Sequence, residues 1–372
     1  MDSDTMTLIL ELGTGVTKIG WGGDDEPRGV FPTLFGEPRN PNIMVGLSSS
    51  PAIGDNAHAR RGILTLTRPL QSLPVAEDDP ETGDPVLAVV TAWDPLFAII
   101  SHAFHNEIHG VPSESHVLLS HPLLSQADLS VLEDHIRETH KPLSLTMKPR
   151  PVFALQGAGL SSGIVLSSGY SSTYSIGVAD GKLVPGSCCV LPFAGKDATE
   201  KLMAAITAAG FSTAWTSERE LPNHIKRSIG SVEDDLDPVS YVLPDGQSVV
   251  FDPDLRSVFL DPLWDSEAGI PSILSFSIQA TISSFADHPI PIEAPIDIVL
   301  CGGNTLFPGF PHHIRGITQS LSTSLAPSST PSSTPSSIPT KLHASPDRRF
   351  ISFIGASLYA SLTPPPSPPP LP

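Results

Sequence analysis

Glu11-Leu12-Gly13-Thr14-Gly15-Val16-Thr17-Lys18 joins two short apolar segments, 7–12 and 16–21, through a tip of small residues. The pattern predicts two strands closed by a glycine turn. A carboxylate precedes the tip and an amine follows it. Such a turn suits a nucleotide phosphate. Gly13 and Gly15 let backbone N–H groups approach, Thr14 adds a hydroxyl and Lys18 adds charge. Glu11 would then face a magnesium ion, through water. The plain alternative is a hairpin and nothing more, and one such turn does not choose between them.

Two further turns narrow the choice. Ser167-Ser168-Gly169-Tyr170-Ser171-Ser172-Thr173 repeats the strand–turn–strand plan. Cys301-Gly302-Gly303-Asn304-Thr305 ends an apolar strand, 296–301, and opens a helix, where paired glycines admit a flat base or ribose. Two hairpins and one strand–glycine–helix turn are together a specific arrangement. Between them, strand patterns alternate with helix patterns. Helices are expected at 94–108, with Asp94 as cap and Pro95 at the first position, and at 125–140 and 197–209. A hairpin turn is expected at Asp180-Gly181 and a final helix or strand–helix at 350–361. The fold class read from this alternation is α/β.

At this level the chain resembles actin. Gly22-Gly23-Asp24-Asp25-Glu26-Pro27-Arg28-Gly29-Val30-Phe31-Pro32 is similar to the family's N-terminal signature. Ile43-Met44-Val45-Gly46, Arg61-Gly62-Ile63-Leu64-Thr65-Leu66 and Trp93-Asp94 follow in the family's order. So do Gly163-Ile164-Val165-Leu166, Ala194-Gly195-Lys196-Asp197, Tyr241-Val242-Leu243-Pro244-Asp245-Gly246-Gln247 and Ile354-Gly355-Ala356-Ser357. The resemblance spans 5–362. It implies a two-lobed actin-like ATPase fold, duplicated ribonuclease-H-like halves around a cleft that holds ATP or ADP with Mg2+. The implied organisation is a small lobe, 1–155, with an outer subdomain at 33–85, and a large lobe, 156–345. A segment at 346–362 returns to the small lobe.

The same resemblance implies roles for single residues. Glu11, Gly13, Thr14, Gly15 and Lys18 would meet the phosphates from one side, and Ser168 and Gly169 from the other. Lys226 would contact base and ribose. Gly302, Gly303 and Phe307 would flank the adenine, with Arg349 as its basic neighbour. Gln156 is the candidate for positioning the attacking water.

The departures fall at the chemistry. The family's first-hairpin Asp is Glu11, its second-hairpin Asp is Ser167, a further acid there is Tyr170, and its His near the attacking water is Tyr174. Gln156 lies about six residues nearer the second hairpin than in the family, with Gly157 and Gly159 after it. Hydrolysis needs an aligned water and neutralised charge. The expectation is therefore nucleotide binding with weak or absent hydrolysis.

Composition bounds the partners. The 21 Lys and Arg against 39 Asp and Glu leave a net charge of −18 in 372 residues. That argues against nucleic-acid phosphates and against an anionic membrane. Three Cys make no disulfide framework and point to a reducing compartment. Cys188-Cys189 reads as a buried pair on a strand rather than as a redox pair. His102, His105 and His109 read as a helix face rather than a zinc site. No basic, apolar leader or membrane-length apolar run is visible, so a soluble intracellular chain is expected.

The 40 prolines are unevenly spread: Pro327, Pro331, Pro335 and Pro339 repeat at a spacing of four, and a proline-rich tail runs from Pro364. A flexible loop at 326–341 and a disordered tail at 363–372 are expected. The acidic stretch 72–85 reads as a solvated loop. The proline tail and Trp264-Asp265-Ser266, at the tip of an apolar loop, differ from the family's filament contacts, whereas 39–55 keeps its pattern. Weakened self-assembly follows. The expected role is cytoskeletal and cytoplasmic, with actin-family subunits or actin-binding proteins as partners. The alternatives are a nuclear adaptor or scaffold, for example in chromatin remodelling, and a degenerate actin copy.

Overall fold

The computed structural model describes residues 6–39, 51–208, 220–233, 236–242, 246, 248–284, 295–324 and 339–363. The patterns at 43–46 and 326–338, most of the outer loop 39–55 and the tail from Pro364 lie outside the described residues. The chain forms two compact units. The first comprises Met1–Ser162, Val178–Pro185 and Phe350–Pro372, and the second Gly163–Gly177 and Gly186–Arg349.

The first unit is built on a five-stranded mixed sheet. Its strands are β1 (Thr7–Glu11), β2 (Val16–Trp21) and β3 (Gly29–Pro32), with two later ones, His116–His121 and Ser144–Pro149. β1 lies in the middle, antiparallel to β2 and parallel to His116–His121, which is parallel in turn to Ser144–Pro149. Leu8, Leu10, Ile19, Val117 and Leu119 are buried with Ile99, Ile100 and Phe104 of the segment that follows Trp93. Parallel strands put their C-terminal ends on one edge. Glu11, His121 and Pro149 therefore leave the sheet together.

A small outer sheet follows: β4 (Phe35–Pro38), β5 (Ala52–Ile53) and β6 (Leu64–Thr67), around Leu34, Ala57 and Leu64. The acidic stretch is not an irregular loop. It belongs to a hairpin of β7 (Leu70–Asp78) and β8 (Pro85–Val90), with Glu77 opposite Val86 and Asp78 opposite Pro85. Its turn is held by Asp79, whose Oδ1 accepts from the N–H groups of Glu81 (2.9 Å) and Thr82 (3.1 Å). Oδ2 accepts from the Gln126 N–H at 2.6 Å, which caps the helix opening at Gln126 from outside. These donors hold the Asp79 carboxyl below its ordinary range, the Gln126 bond contributing most. The acids looked like a loop because a run of charge carries no strand period, while the pairing is set by β8.

The helices of this unit are α1 (Asp55–Ala59), α2 (Trp93–His102), α3 (Gln126–Thr139) and α4 (Arg150–Gly157), with the C-terminal helix Ile351–Leu362. Asp94 is not a cap. α2 starts one residue earlier, after Ala92, with no side-chain cap, and continues as one π turn, Ala103–Glu107. Of the three histidines spaced along it, His102 pairs with Glu107 at 3.0 Å, and His109 lies beyond the turn with a positive φ. α4 ends where Gly159, at φ +74°, turns the chain. The Gly159 and Leu160 N–H groups donate to the carbonyls of Gln156 and Leu155, the pairing of a glycine-closed helix end. α4 also touches the C-terminal helix backbone to backbone. A Cβ on Gly157 would meet the Ile351 carbonyl, and one on Gly355 the Phe153 carbonyl.

In the second unit, β9 (Gly163–Ser168) lies between β10 (Thr173–Ala179) and the parallel strand Ile296–Cys301, and Thr340–His343 pairs beyond it. The last two residues expected in the proline loop, Thr340 and Lys341, thus belong to a strand. β10 pairs with β12 (Cys189–Leu191), and its last residues turn at Asp180-Gly181 into β11 (Lys182–Leu183), inside the segment Val178–Pro185 that is counted with the first unit. The helices here are α5 (Gly195–Ala208), α6 (Glu220–Ile229), α7 (Pro253–Ser257), α8 (Ile270–Ser284) and α9 (Phe310–Ser324). Their core gathers Leu166, Leu202, Ile225, Phe259, Leu260, Leu300 and Phe310. Cys188 and Cys189 form no disulfide and are only half-buried, not a buried pair on a strand, since only Cys189 lies on β12.

Candidate functional site: two glycine turns

The first turn is positioned by register. Glu11 and Lys18 are direct partners across β1 and β2, so the chain between them, 12–17, closes the hairpin. Their side chains form an ion pair, Lys18 Nζ donating to Glu11 Oε1 at 2.7 Å, and both are buried. Opposite charges facing each other across strands favour this pairing. Lys18 also lies 5.6 Å from the centre of the Phe350 ring.

The tip is held by its carbonyls. Thr33 Oγ1 donates to the Gly13 carbonyl at 2.6 Å. The Thr33 N–H and Arg68 Nη1 both donate to Gly15 O at 3.1 Å. Arg150 Nη2 donates to Leu12 O. A trans peptide points its N–H opposite to its C=O. The amides of Gly13, Thr14 and Val16 are therefore directed away from these three side chains. Gly13 is required here, because an added Cβ would strike the Val16 carbonyl.

Arg150 is the residue that sequence reasoning missed. It opens α4 and also brings Nε to 3.5 Å from Glu11 Oε1. The signal was the strand order. Ser144–Pro149 runs parallel to β1 with one strand between them, so its exit falls beside the exit of β1. Gln156 is six residues further along α4, about 9 Å down the axis. Its Oε1 is buried without a hydrogen-bond partner. His121, at the same sheet edge, is buried, and burial with the nearby Arg150 charge pushes its pKa down to about 3, so its ring is neutral.

The second turn is built differently. Gly169 donates to the Ser172 carbonyl at 3.0 Å, and Ser168 Oγ lies 2.8 Å from Thr173 Oγ1. The start of α5 closes onto it: Gly195 N–H donates to Gly169 O (3.0 Å) and Lys196 N–H to Tyr170 O (2.8 Å). Asn304, also missed by sequence reasoning, clamps it by donating to Ser168 Oγ (3.1 Å) and Gly169 O (2.9 Å). Gly302 has φ +96°, and a Cβ there would strike the Ser168 carbonyl, so the third turn packs directly on the second. Gly303 has open space around it and begins the short helix Gly303–Leu306.

The remaining candidates of this unit are placed as follows. Lys226 Nζ is buried and donates to Gly195 O (2.5 Å) and Thr199 Oγ1 (2.7 Å). Phe307 is buried against Phe259 and Gly230. Arg349 is exposed, and partial desolvation, then the Arg227 charge, lowers its pKa. Ser167 is buried at the end of β9, opposite Cys301. Tyr174 is buried on β10, opposite Val190.

The family model for actin matches residues 2–226 and 210–364. The chain belongs to the actin family. A mixed α/β architecture of two compact units accords with that membership. Folds of the actin family usually bind a nucleotide together with a divalent cation.

The residues here fit the two ligands unequally. A phosphate would meet a glycine turn contacted by Lys18, Arg68 and Arg150. A divalent cation finds one carboxylate, Glu11, with Oε1 already taken by Lys18. Among the described residues no group of three or more His, Cys, Asp or Glu could hold a metal ion. The donor set does not fit a resident magnesium ion. Nor is any helix among the described residues long and apolar enough to cross a membrane.

Proposed function

We propose that this chain is a divergent actin-family protein that binds ATP or ADP, with weak or absent hydrolysis and weakened self-assembly. The observation that carries the reading is the first turn. Its carbonyls are held by Thr33, Arg68 and Arg150, and the strand register fixes Lys18 beside it. A glycine turn with side-chain cations beside it is what phosphate groups bind. The second turn, in the second unit, carries backbone and hydroxyl groups but no carboxylate. Ser167 and Tyr174 supply neither a charge to order water nor a neutral imidazole to accept a proton. A cytoplasmic, cytoskeletal role with actin-family partners is part of the proposal. Isothermal calorimetry with ATP tests the binding. Heat of binding supports it, and no heat at sub-millimolar protein together with no thermal shift overturns it.

A second reading is an adaptor or scaffold in which the turns serve only the fold. It draws support from Lys226, whose ammonium is bonded inside the second unit. Pelleting with and without conventional actin separates the two. Co-assembly supports the cytoskeletal reading, and its absence alongside retained fold favours the adaptor.

A further inference from the structure

We infer, resting on the nucleotide reading, that the first turn holds phosphates without a divalent cation, the Arg150 guanidinium supplying the charge neutralisation that a metal would otherwise provide. The argument begins with charge. Lys18, Arg68 and Arg150 all contact the segment 11–18, against the single carboxylate of Glu11. This positive excess sits in a chain of net charge −18, so it is local and built. A divalent ion beside Glu11 would meet two cations already within 3.5 Å of its Oε1. Like charges at such distances repel strongly at a buried site. A polyphosphate meets the opposite sign.

Two orphaned atoms support the assignment. Glu11 Oε2 and Arg150 Nε are both buried, and neither has a hydrogen-bond partner. One is an acceptor and the other a donor, on side chains that already face each other. A planar guanidinium presents its donors as a fork that matches a carboxylate or a phosphate. A small shift of Arg150 pairs the two orphans and needs no metal-bound water to do so. Nη2 is meanwhile anchored on Leu12 O, which fixes the guanidinium at the tip of the turn. Arg150 thus lies between the Glu11 carboxylate and the tip of the turn.

The test is titration of the full chain with ATP, followed by calorimetry, in EDTA and in millimolar magnesium. The expected result is the same affinity in both, within about threefold. Arg150→Gln keeps a donor for Leu12 O but removes the charge. It is expected to weaken ATP binding in EDTA tenfold or more, and Arg150→Lys to recover part of the loss. Melting curves of both variants show whether they are folded. If Arg150→Gln does not fold, the wild-type comparison and Arg150→Lys still decide the matter. Wild-type affinity that rises tenfold or more with magnesium overturns this inference and leaves the nucleotide reading standing. Arg150→Gln binding as tightly as wild type in EDTA does the same. No ATP binding under either condition overturns both.

Discussion

Glu11 and Lys18 face each other across adjacent strands and close a buried ion pair of 2.7 Å at the mouth of the first glycine turn. Arg150 approaches the same carboxylate from α4, at 3.5 Å. The pair is therefore asymmetric. Removing the acid leaves two cations facing each other, whereas removing Lys18 leaves the acid with Arg150. Glu11→Gln is expected to cost about 3–5 kcal/mol, the usual penalty of an uncompensated buried charge. Lys18→Met is expected to cost distinctly less. Urea denaturation of the two variants checks the order, and the reverse order contradicts this account of the site.

The glycines of the third turn are predicted to behave oppositely. Gly302→Ala forces a side chain into a left-handed conformation and into the Ser168 carbonyl. A loss of about 1–3 kcal/mol is expected. Gly303→Ala meets open space and should change stability by less than about 1 kcal/mol. Thermal melting of both proteins side by side is the measurement.

His140 gives the first unit an acid sensitivity. Burial chiefly, and then the charges of His105 and His135, push its pKa down to about 4. It packs against Phe104 and shares a 3.3 Å hydrogen bond with Ser101. The folded state thus takes up its proton later than the unfolded chain, whose His titrates near 6.5. Where the unfolded chain binds more protons, stability rises with pH. The contribution of His140 is complete above about pH 6.5 and lost as pH falls toward about 4. His140→Gln should flatten the pH dependence of the melting temperature in that window. An unchanged slope between pH 4 and 6.5 would count against the burial of a neutral ring.

ATP turnover is expected to be slower than in conventional actin and not rescued by added magnesium. Ser167 and Tyr174 are fixed in buried strand positions, and the α4 side chain that reaches the first turn is Arg150. Losing one positioned group costs about 2.7–4 kcal/mol in a transition state, a hundredfold or more. Ser167→Asp with Tyr174→His should raise phosphate release without reaching actin's rate. A phosphate-release assay in the same assembly state decides it, and wild-type turnover equal to actin's would show these positions to be misread.

Much of this was legible along the chain. The Gly13-Thr14-Gly15 tip and the seven-residue separation of Glu11 from Lys18 suffice to place the two charges opposite each other, since antiparallel pairing about a short turn has few registers. Gly302, before a helix, marked a turn that only glycine tolerates. These are local readings, because a turn is decided by the residues in it. What only the tertiary structure decided are the contacts between distant segments. Arg150 reaches Leu12 and Glu11 because two strands run parallel to one edge. Asn304 clamps Gly169 because Ile296–Cys301 lies beside β9. Asp79, one acid among several in a charged run, caps α3 because the hairpin ends at its first turn. Gly157 and Gly355 are glycines because two helices meet backbone to backbone. None of these pairs shares a period or a motif. Each depends on which chain segments the sheet order brings within hydrogen-bond reach, and sheet order is settled by burial of the whole core rather than by any stretch of sequence within it.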